Sequence, residues 1–219
     1  MSDWPPRRDR PYVKVCGLTR PDLAAAAVAA GADMIGLVHF AKSPRHLGFD
    51  RAREVAAAAK GASVVALTVD ADDATLDAID RRVRPDIFQL HGHETPEHVA
   101  TVAARYGKPV IKAVGVRDAA DIEAALSHDA LLLLDAKPPK NASRPGGNGE
   151  AFDWGVLAAV PAGRAFVLAG GLNSENVADA VERTKPYAVD VSSGVETDGL
   201  KDTAKIRAFI AAVKQAALT

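Results

Sequence analysis

The chain has 219 residues, of which 48% are hydrophobic and 25% charged, and its formal net charge is −1. This composition is typical of a globular protein, and a charge so close to zero gives no overall field that would favour nucleic acid or an anionic membrane as a partner. The single cysteine excludes an internal disulfide and a cysteine-rich zinc site. We find no apolar run of the ~18 residues that a membrane span needs and no signal-peptide pattern, so we expect a cytoplasmic protein.

Strand-like and helix-like patterns alternate along the chain after residues 1–10, which we expect to form a mobile tail. Strands are predicted at Tyr12–Cys16, Asp33–Val38, Ser63–Thr68, Ile87–His91, Pro109–Ala113, Ala130–Asp135, Ala165–Ala169 and Tyr187–Val191. Helices are predicted at 22–30, 50–60, 72–82, 95–107, 118–127, 154–160, 173–183 and 202–217. Repeated strand–helix units without a composition break predict an α/β fold, a single-domain (β/α)8 TIM barrel over residues 11–219. A doubly wound open sheet is the alternative.

The first predicted strand ends at the only cysteine, Cys16, and Gly17 then begins a short turn into a helix that Thr19 is expected to cap. Active sites of such barrels lie at the C-terminal ends of the strands. A cysteine alone is usually a small buried hydrophobe. Because an ammonium nearby favours the thiolate, Lys14 gives Cys16 a second interpretation, as a base with a lowered pKa.

Strand side chains alternate between two faces, so position parity separates inside from outside. The face covered by helices should be apolar, and we therefore expect the polar positions to point into the barrel. These positions are Lys14, Cys16, Gln89, His91, Lys112, Asp135, Asp190 and Ser192. Lys14, Lys112 and Asp190 would be costly inside without partners, so we expect ion pairs among them or contacts to a ligand.

Asp135 ends the sixth strand, and a long Gly/Pro-rich loop, 137–150, follows it. Loops of this length often close over active sites, which favours a lid and a functional carboxyl. The alternatives are a carboxylate that caps the next turn and a plain connector.

Two glycine-containing turns follow the last two strands, Gly170-Gly171 and Ser193-Gly194. In barrels these loops often bind phosphate through backbone N–H groups. Arg45, after the second strand, suits a bidentate grip on a carboxylate, the alternative being a solvated surface arginine. His91-Gly92-His93 does not predict a metal site, because the sequence offers no further ligands at metal-binding spacing.

These residues fall within a series of motifs that resembles the phosphoribosylanthranilate isomerase family of tryptophan biosynthesis. The motifs are KVCGLT at Lys14, KSPR at Lys42, QLHG at Gln89, LD at Leu134, GGNG at Gly146 before FDW at Phe152, LAGGL at Leu168 and DVSSGVE at Asp190. The match runs from about Tyr12 to the last helix.

The resemblance implies an Amadori rearrangement with Asp135 as general acid, its pKa raised, and Cys16 as general base. It implies further that Arg45 holds the anthranilate carboxylate and that Gln89, His91 and Asp190 contact the substrate. The implied phosphate-binding residues are Gly170, Gly171, Ser193 and Gly194. No metal or organic cofactor, nucleic acid or membrane is implied, and we expect a monomer, with a dimer as the alternative.

Other functions stay open at this point. A ribulose-phosphate epimerase would need a His/Asp metal set, and an indole-glycerol-phosphate synthase a catalytic lysine and glutamate set, neither of which aligns here. A non-catalytic barrel that binds a phosphorylated ligand is a further alternative. Activity on the analogous substrate of histidine biosynthesis would require a second phosphate-binding site, whereas the sequence indicates only a single one.

Overall fold

The structure, a computed structural model, describes residues 4–137 and 153–216. Within these residues eight parallel strands close into a barrel in the order β1 to β8, with β8 pairing back onto β1. The strands are β1 (Tyr12–Cys16), β2 (Met34–Val38), β3 (Ser63–Thr68), β4 (Ile87–Leu90), β5 (Val110–Val116), β6 (Leu131–Ala136), β7 (Phe166–Leu168) and β8 (Ala188–Val191). The predicted (β/α)8 barrel is confirmed, and the open doubly wound sheet is excluded by the β1–β8 pairing.

Helices surround the barrel in the predicted order. They are α1 (Pro21–Ala30), α2 (Phe49–Ala58), α3 (Asp73–Val83), α4 (Pro96–Tyr106), α5 (Ala119–Ala125), a 3-10 helix (Trp154–Ala159) in the sixth place, α6 (Val177–Thr184) and α7 (Thr203–Ala216). A short antiparallel hairpin, β9 (Glu196–Thr197) and β10 (Leu200–Lys201), lies between β8 and α7. The sequence did not predict this hairpin, because two-residue strands carry no periodicity.

Side-chain caps begin several of these helices, as elementary backbone chemistry requires. The side chains of Asp72, Thr95 and Asp118 each accept a hydrogen bond from an N–H in the first turn of α3, α4 and α5. The predicted cap at Thr19 is wrong: Arg20 is the N-cap residue of α1 and makes no side-chain cap bond. Pro21 at the start of α1 has no N–H to satisfy, which lessens the need for a cap.

Two apolar layers hold the barrel. Strand residues such as Val65, Ile87 and Leu133 fill its interior, and the outward faces of the strands pack against the helices in a larger cluster. The prediction that Lys112 points inward is wrong, because its neighbours Ile111 and Ala113 take the interior positions.

Lys112 instead lies between the sheet and the helices. There its Nζ is 2.7 Å from Oε2 of Glu94 and 2.7 Å from the carbonyl oxygen of Gly92. Both members of the ion pair are almost fully buried. A charged partner in the β4–α4 loop thus makes an outward lysine tolerable where parity alone predicted an apolar residue.

Residues 4–10, which belong to the predicted N-terminal tail, pack against the N-terminal ends of the strands. The hydroxyl of Tyr187 donates to the carbonyl oxygen of Pro5 at 2.8 Å, and that of Tyr12 to Pro6 at 3.0 Å. Arg8 pairs with Asp33 at 2.6 Å. This segment therefore lies across the end of the barrel opposite the C-terminal strand ends. None of the helices in the described residues is both long and apolar enough to cross a bilayer.

Candidate active site

A cavity opens at the C-terminal ends of the strands. Its empty space, including the open space at its mouth, is about 750 Å³. All predicted site residues line it: Cys16, Arg45, Gln89, His91, Asp135, Gly170, Gly171, Asp190, Ser193 and Gly194. The barrel therefore brings together residues that are up to 178 positions apart in the chain.

Cys16 stands at the end of β1, next to a buried ion pair. The Nζ atom of Lys14 is 2.8 Å from Oδ1 of Asp190, and the side chain of Lys14 is fully buried. Burial raises the pKa of the Cys16 thiol above its ordinary value, and the charge of Lys14 offsets only part of that effect while Asp190 adds to it. The prediction of a lowered thiol pKa is therefore wrong, because it counted the ammonium and neither the desolvation nor the carboxylate.

The thiol of Cys16 lies against the backbone of β2. A Cβ atom added at Gly36 would be 2.6 Å from its Sγ and 3.0 Å from its Cα. The absence of a side chain at Gly36 is thus what leaves room for the thiol.

Asp135 lies at the end of β6, three strands from β1 around the barrel. Its Oδ1 accepts a hydrogen bond from the N–H of Ala136 at 2.9 Å, and its Oδ2 is 3.7 Å from Nε2 of His91. Burial lowers the pKa of His91 to about 3, with repulsion from Lys14 and Lys112 acting in the same direction. The imidazole beside Asp135 is therefore neutral at neutral pH.

The neutral ring of His91 has a side-chain neighbour on its other nitrogen. Nδ1 of His91 lies 3.3 Å from Nε2 of Gln89. With the amide assigned in this orientation, Nδ1 is the acceptor and the ring proton is on Nε2, towards Asp135.

The turns after β7 and β8 touch one another. Gly170 and Gly171 both have positive φ, 83° and 63°, a conformation that glycine adopts without strain. A Cβ at Gly194 would lie 1.9 Å from the carbonyl oxygen of Leu172. These glycines permit a close approach of two backbones beside Ser193.

Arg45 reaches the mouth from the loop between β2 and α2. Its Nε and Nη2 donate to the two carboxylate oxygens of Glu196 at 2.7 and 2.6 Å. Its side chain is 11% exposed and crosses Gly17, where a Cβ would lie 2.4 Å from Cδ of Arg45. The alternative of a solvated surface arginine is therefore excluded.

The cavity has further lining residues that we assigned no role from the sequence. Among them are Phe40, Ser43, Leu172 and Ser192. Their positions next to predicted residues in the chain are the signal that could have indicated them. Glu196 belongs to the DVSSGVE motif, but its contact with Arg45 depends on the unpredicted hairpin.

Two further expectations concern loops and metals. The predicted lid, 137–150, lies outside the described residues except for Lys137. Within residues 4–137 and 153–216, no group of three or more His, Cys, Asp and Glu side chains is arranged to hold a metal ion.

The fold and the site define the class: a (β/α)8-barrel protein with a small-molecule cavity at the C-terminal strand ends. The family model described as N-(5'phosphoribosyl)anthranilate (PRA) isomerase matches residues 13–212. The chain belongs to this family of isomerases of tryptophan biosynthesis.

Relatives and solved structures agree with that assignment. The N-(5'-phosphoribosyl)anthranilate isomerase of Paramagnetospirillum magneticum is 52% identical over 92% of this chain and 96% of its own length. That of Brucella canis is 49% identical over 93% of this chain and 94% of its own. The structure of phosphoribosyl anthranilate isomerase from Thermotoga maritima, 38% identical, covers 94% of this chain and 99% of its own with a TM-score of 0.85.

A further structure bears on ligand binding. It is a phosphoribosyl anthranilate isomerase in complex with reduced 1-(o-carboxyphenylamino)-1-deoxyribulose 5-phosphate. This protein is 34% identical, covers 94% of this chain and 99% of its own, and superposes with a TM-score of 0.80.

Proposed function

We propose that this protein converts N-(5-phosphoribosyl)anthranilate into 1-(2-carboxyphenylamino)-1-deoxyribulose 5-phosphate by an Amadori rearrangement, with Cys16 as general base and Asp135 as general acid. The observation that carries the proposal is that a thiol on β1 and a carboxyl on β6 line the same cavity. The reduced product bound to a relative that is 34% identical supports the same substrate class.

The first step assigned to the protein is opening of the ribose ring. Asp135, in its protonated form, donates a proton to the ring oxygen while the anilino nitrogen supplies the electrons for the C1–N double bond. Nε2 of His91 is 3.7 Å from this carboxyl. Because the imidazole is neutral, it puts no positive charge beside Asp135. The products of this step are a Schiff base cation and the carboxylate of Asp135.

The second step is removal of the C2 proton. The thiolate of Cys16 takes the proton, and the C–H electron pair moves to form the enolamine, which becomes the ketone on proton transfer to C1. Protons enter at the ring oxygen and at C1, and protons leave from C2 and from the 2-hydroxyl as it becomes the ketone, so the overall change is an isomerisation. Each such acid or base typically contributes about 10²–10⁴ in rate.

The other predicted residues bind the two ends and the middle of the substrate. Arg45 binds the anthranilate carboxylate, and Gln89, His91 and Asp190 contact the middle of the molecule. The phosphate lies on the turns after β7 and β8, at Gly170, Gly171, Ser193 and Gly194. We further propose a monomeric cytoplasmic enzyme that uses no metal or organic cofactor.

The test is a fluorescence assay that follows loss of phosphoribosylanthranilate generated in situ. Cys16→Ser and Asp135→Asn are expected to lose about 10²-fold or more of kcat while they still bind the reduced product analogue. Asp129→Asn, an exposed change at the other end of β6, is the matched control. Near-normal turnover by either site variant would show that its assigned role is wrong, and a wild-type protein that binds the analogue without turnover would be a binding protein.

A further inference from the structure

Arg45, which lines the cavity, belongs to a largely buried cluster of three charged side chains, the other two being Glu196 and Lys201. Glu196 accepts hydrogen bonds from Arg45 through both carboxylate oxygens and a third from Nζ of Lys201 at 2.6 Å. The exposed side-chain fractions are 11% for Arg45, 7% for Glu196 and 2% for Lys201. One largely buried carboxylate is therefore shared by two cations.

The charge states of the cluster are consistent with its geometry. Burial by itself would raise the pKa of Glu196, but the hydrogen bonds from Arg45 and the charge of Lys201 outweigh burial and hold it below the ordinary value. Burial lowers the pKa of Lys201, and the charge of Glu196 opposes that shift. Glu196 is thus ionised, and the cluster carries one positive charge in excess.

The way in which Glu196 holds Arg45 leaves the rest of the guanidinium for a second anion. An arginine has five N–H donors in a fixed plane. Glu196 takes one from Nε and one from Nη2, a side-on grip. Arg45 lines the cavity, and its three remaining donors include both of those on Nη1.

Lys201 connects this clamp to the strand ends. Its Nζ donates to the carbonyl oxygen of Ser192 at 2.8 Å and contacts the hydroxyl of Ser192 at 3.2 Å. That hydroxyl donates to the carbonyl oxygen of Cys16 at 3.2 Å. Polar contacts therefore run without interruption from Cys16 to Arg45, past the Ser193-Gly194 turn.

We propose that Glu196 and Lys201 are positioning residues: Glu196 fixes the guanidinium of Arg45 for the substrate carboxylate, and Lys201 fixes Glu196. The inference rests on the proposed function, in which Arg45 binds that carboxylate. A long arginine side chain that is already ordered loses less entropy on binding. The spacing between the carboxylate grip and the phosphate-binding turn is then set before the substrate enters.

The decisive variant is the double substitution Glu196→Gln with Lys201→Met, because it removes one negative and one positive charge and leaves the net charge of the cluster unchanged. Glu123→Gln, an exposed change on α5, is the control. Binding is measured with two ligands, the reduced product analogue and the same compound made with aniline, which lacks the carboxyl. Misplacement of about 1 Å costs up to about 10²-fold, so we expect KM for the substrate and Kd for the carboxylated analogue to rise by about 10- to 10²-fold.

The aniline analogue separates positioning from general damage to the site. The positioning role predicts that its Kd is the same in the double variant and in the wild type. Equal weakening of both ligands, or an unchanged KM, would overturn the inference. If the double variant does not fold, Glu196→Asp, which keeps the charge and shortens the reach, must show the same ligand discrimination. A wild type that binds neither analogue would instead refute the proposed function.

Discussion

Nζ of Lys14 lies 2.8 Å from Oδ1 of Asp190, across the pairing that closes the barrel between β1 and β8. Burial alone would lower the pKa of Lys14, but the charges and hydrogen bonds of Asp190 and Cys16 together outweigh burial and raise the value. The ammonium is thus committed to a carboxylate, and its effect on the neighbouring thiol is reduced. Burial of the thiol is the main cause of the raised pKa of Cys16, and the pairing of Lys14 with Asp190 leaves that effect only partly offset.

The first prediction concerns the reactivity of Cys16. Its thiol pKa lies above the ordinary value of 9.0, so the thiolate fraction, and with it the rate of alkylation by iodoacetamide, should increase with pH through 9. Lys14→Met removes the charge that stabilises the thiolate and should shift the midpoint higher still. The readout is mass-spectrometric labelling against pH, with Cys16→Ser as the unlabelled control. A wild-type midpoint below about 8 would contradict this account.

The second prediction concerns the stability of the Lys14–Asp190 pair. Lys14→Met or Asp190→Asn alone leaves a buried charge without its partner and should cost about 3–5 kcal/mol of unfolding free energy. The double variant removes both charges and should cost less than the sum of the two. Urea unfolding of the four proteins measures this coupling. Additive losses would mean that the pair contributes no interaction of its own.

The third prediction uses the space beside the thiol. Gly36→Ala would place a Cβ 2.6 Å from Sγ of Cys16, and the displaced thiol should lower kcat by about 10²-fold. Gly48→Ala is the matched control, because a Cβ there meets nothing within 4 Å and its φ is −68°. Circular dichroism checks that both variants fold. Equal activity of the two variants would show that the position of Cys16 is not critical.

The fourth prediction concerns acid stability. Burial lowers the pKa of His39 to about 4, and His46 adds repulsion. Between pH 6.5 and about 4, His39 is protonated in the unfolded chain and neutral in the folded protein. The free energy of unfolding should therefore fall as the pH decreases over this range. The loss attributable to His39 is on the order of 3 kcal/mol.

His39→Phe tests this assignment, because it keeps a ring stacked on Phe49 and removes the titrating group. The slope of unfolding free energy against pH between 4 and 6.5 measures how many protons are taken up on unfolding. In the variant this number should be smaller by about one. Denaturant unfolding at several pH values gives that slope. The same slope in wild type and variant would show that His39 is not the group that takes up this proton.

Periodicity and strand-end chemistry were sufficient to predict the barrel, the β1–β8 closure and the residues around the cavity. Cys16 and Asp135 were recognisable because reactive side chains stood where barrel strands end. Lys112 was misplaced because parity cannot detect Glu94, a buried partner supplied by a loop. The thiol pKa and the clamp on Arg45 depend on desolvation and on the β9–β10 hairpin, which become visible only in three dimensions.

The segment fastened beneath the barrel by Pro5 and Pro6 has a practical consequence. Because it exits on the side away from the cavity, a fluorophore, an affinity handle or a second enzyme joined ahead of Trp4 would stand behind the catalytic opening. Such fusions should not obstruct the entry of substrate or the release of product. The N-terminal side is therefore suited to attaching the enzyme to a solid support.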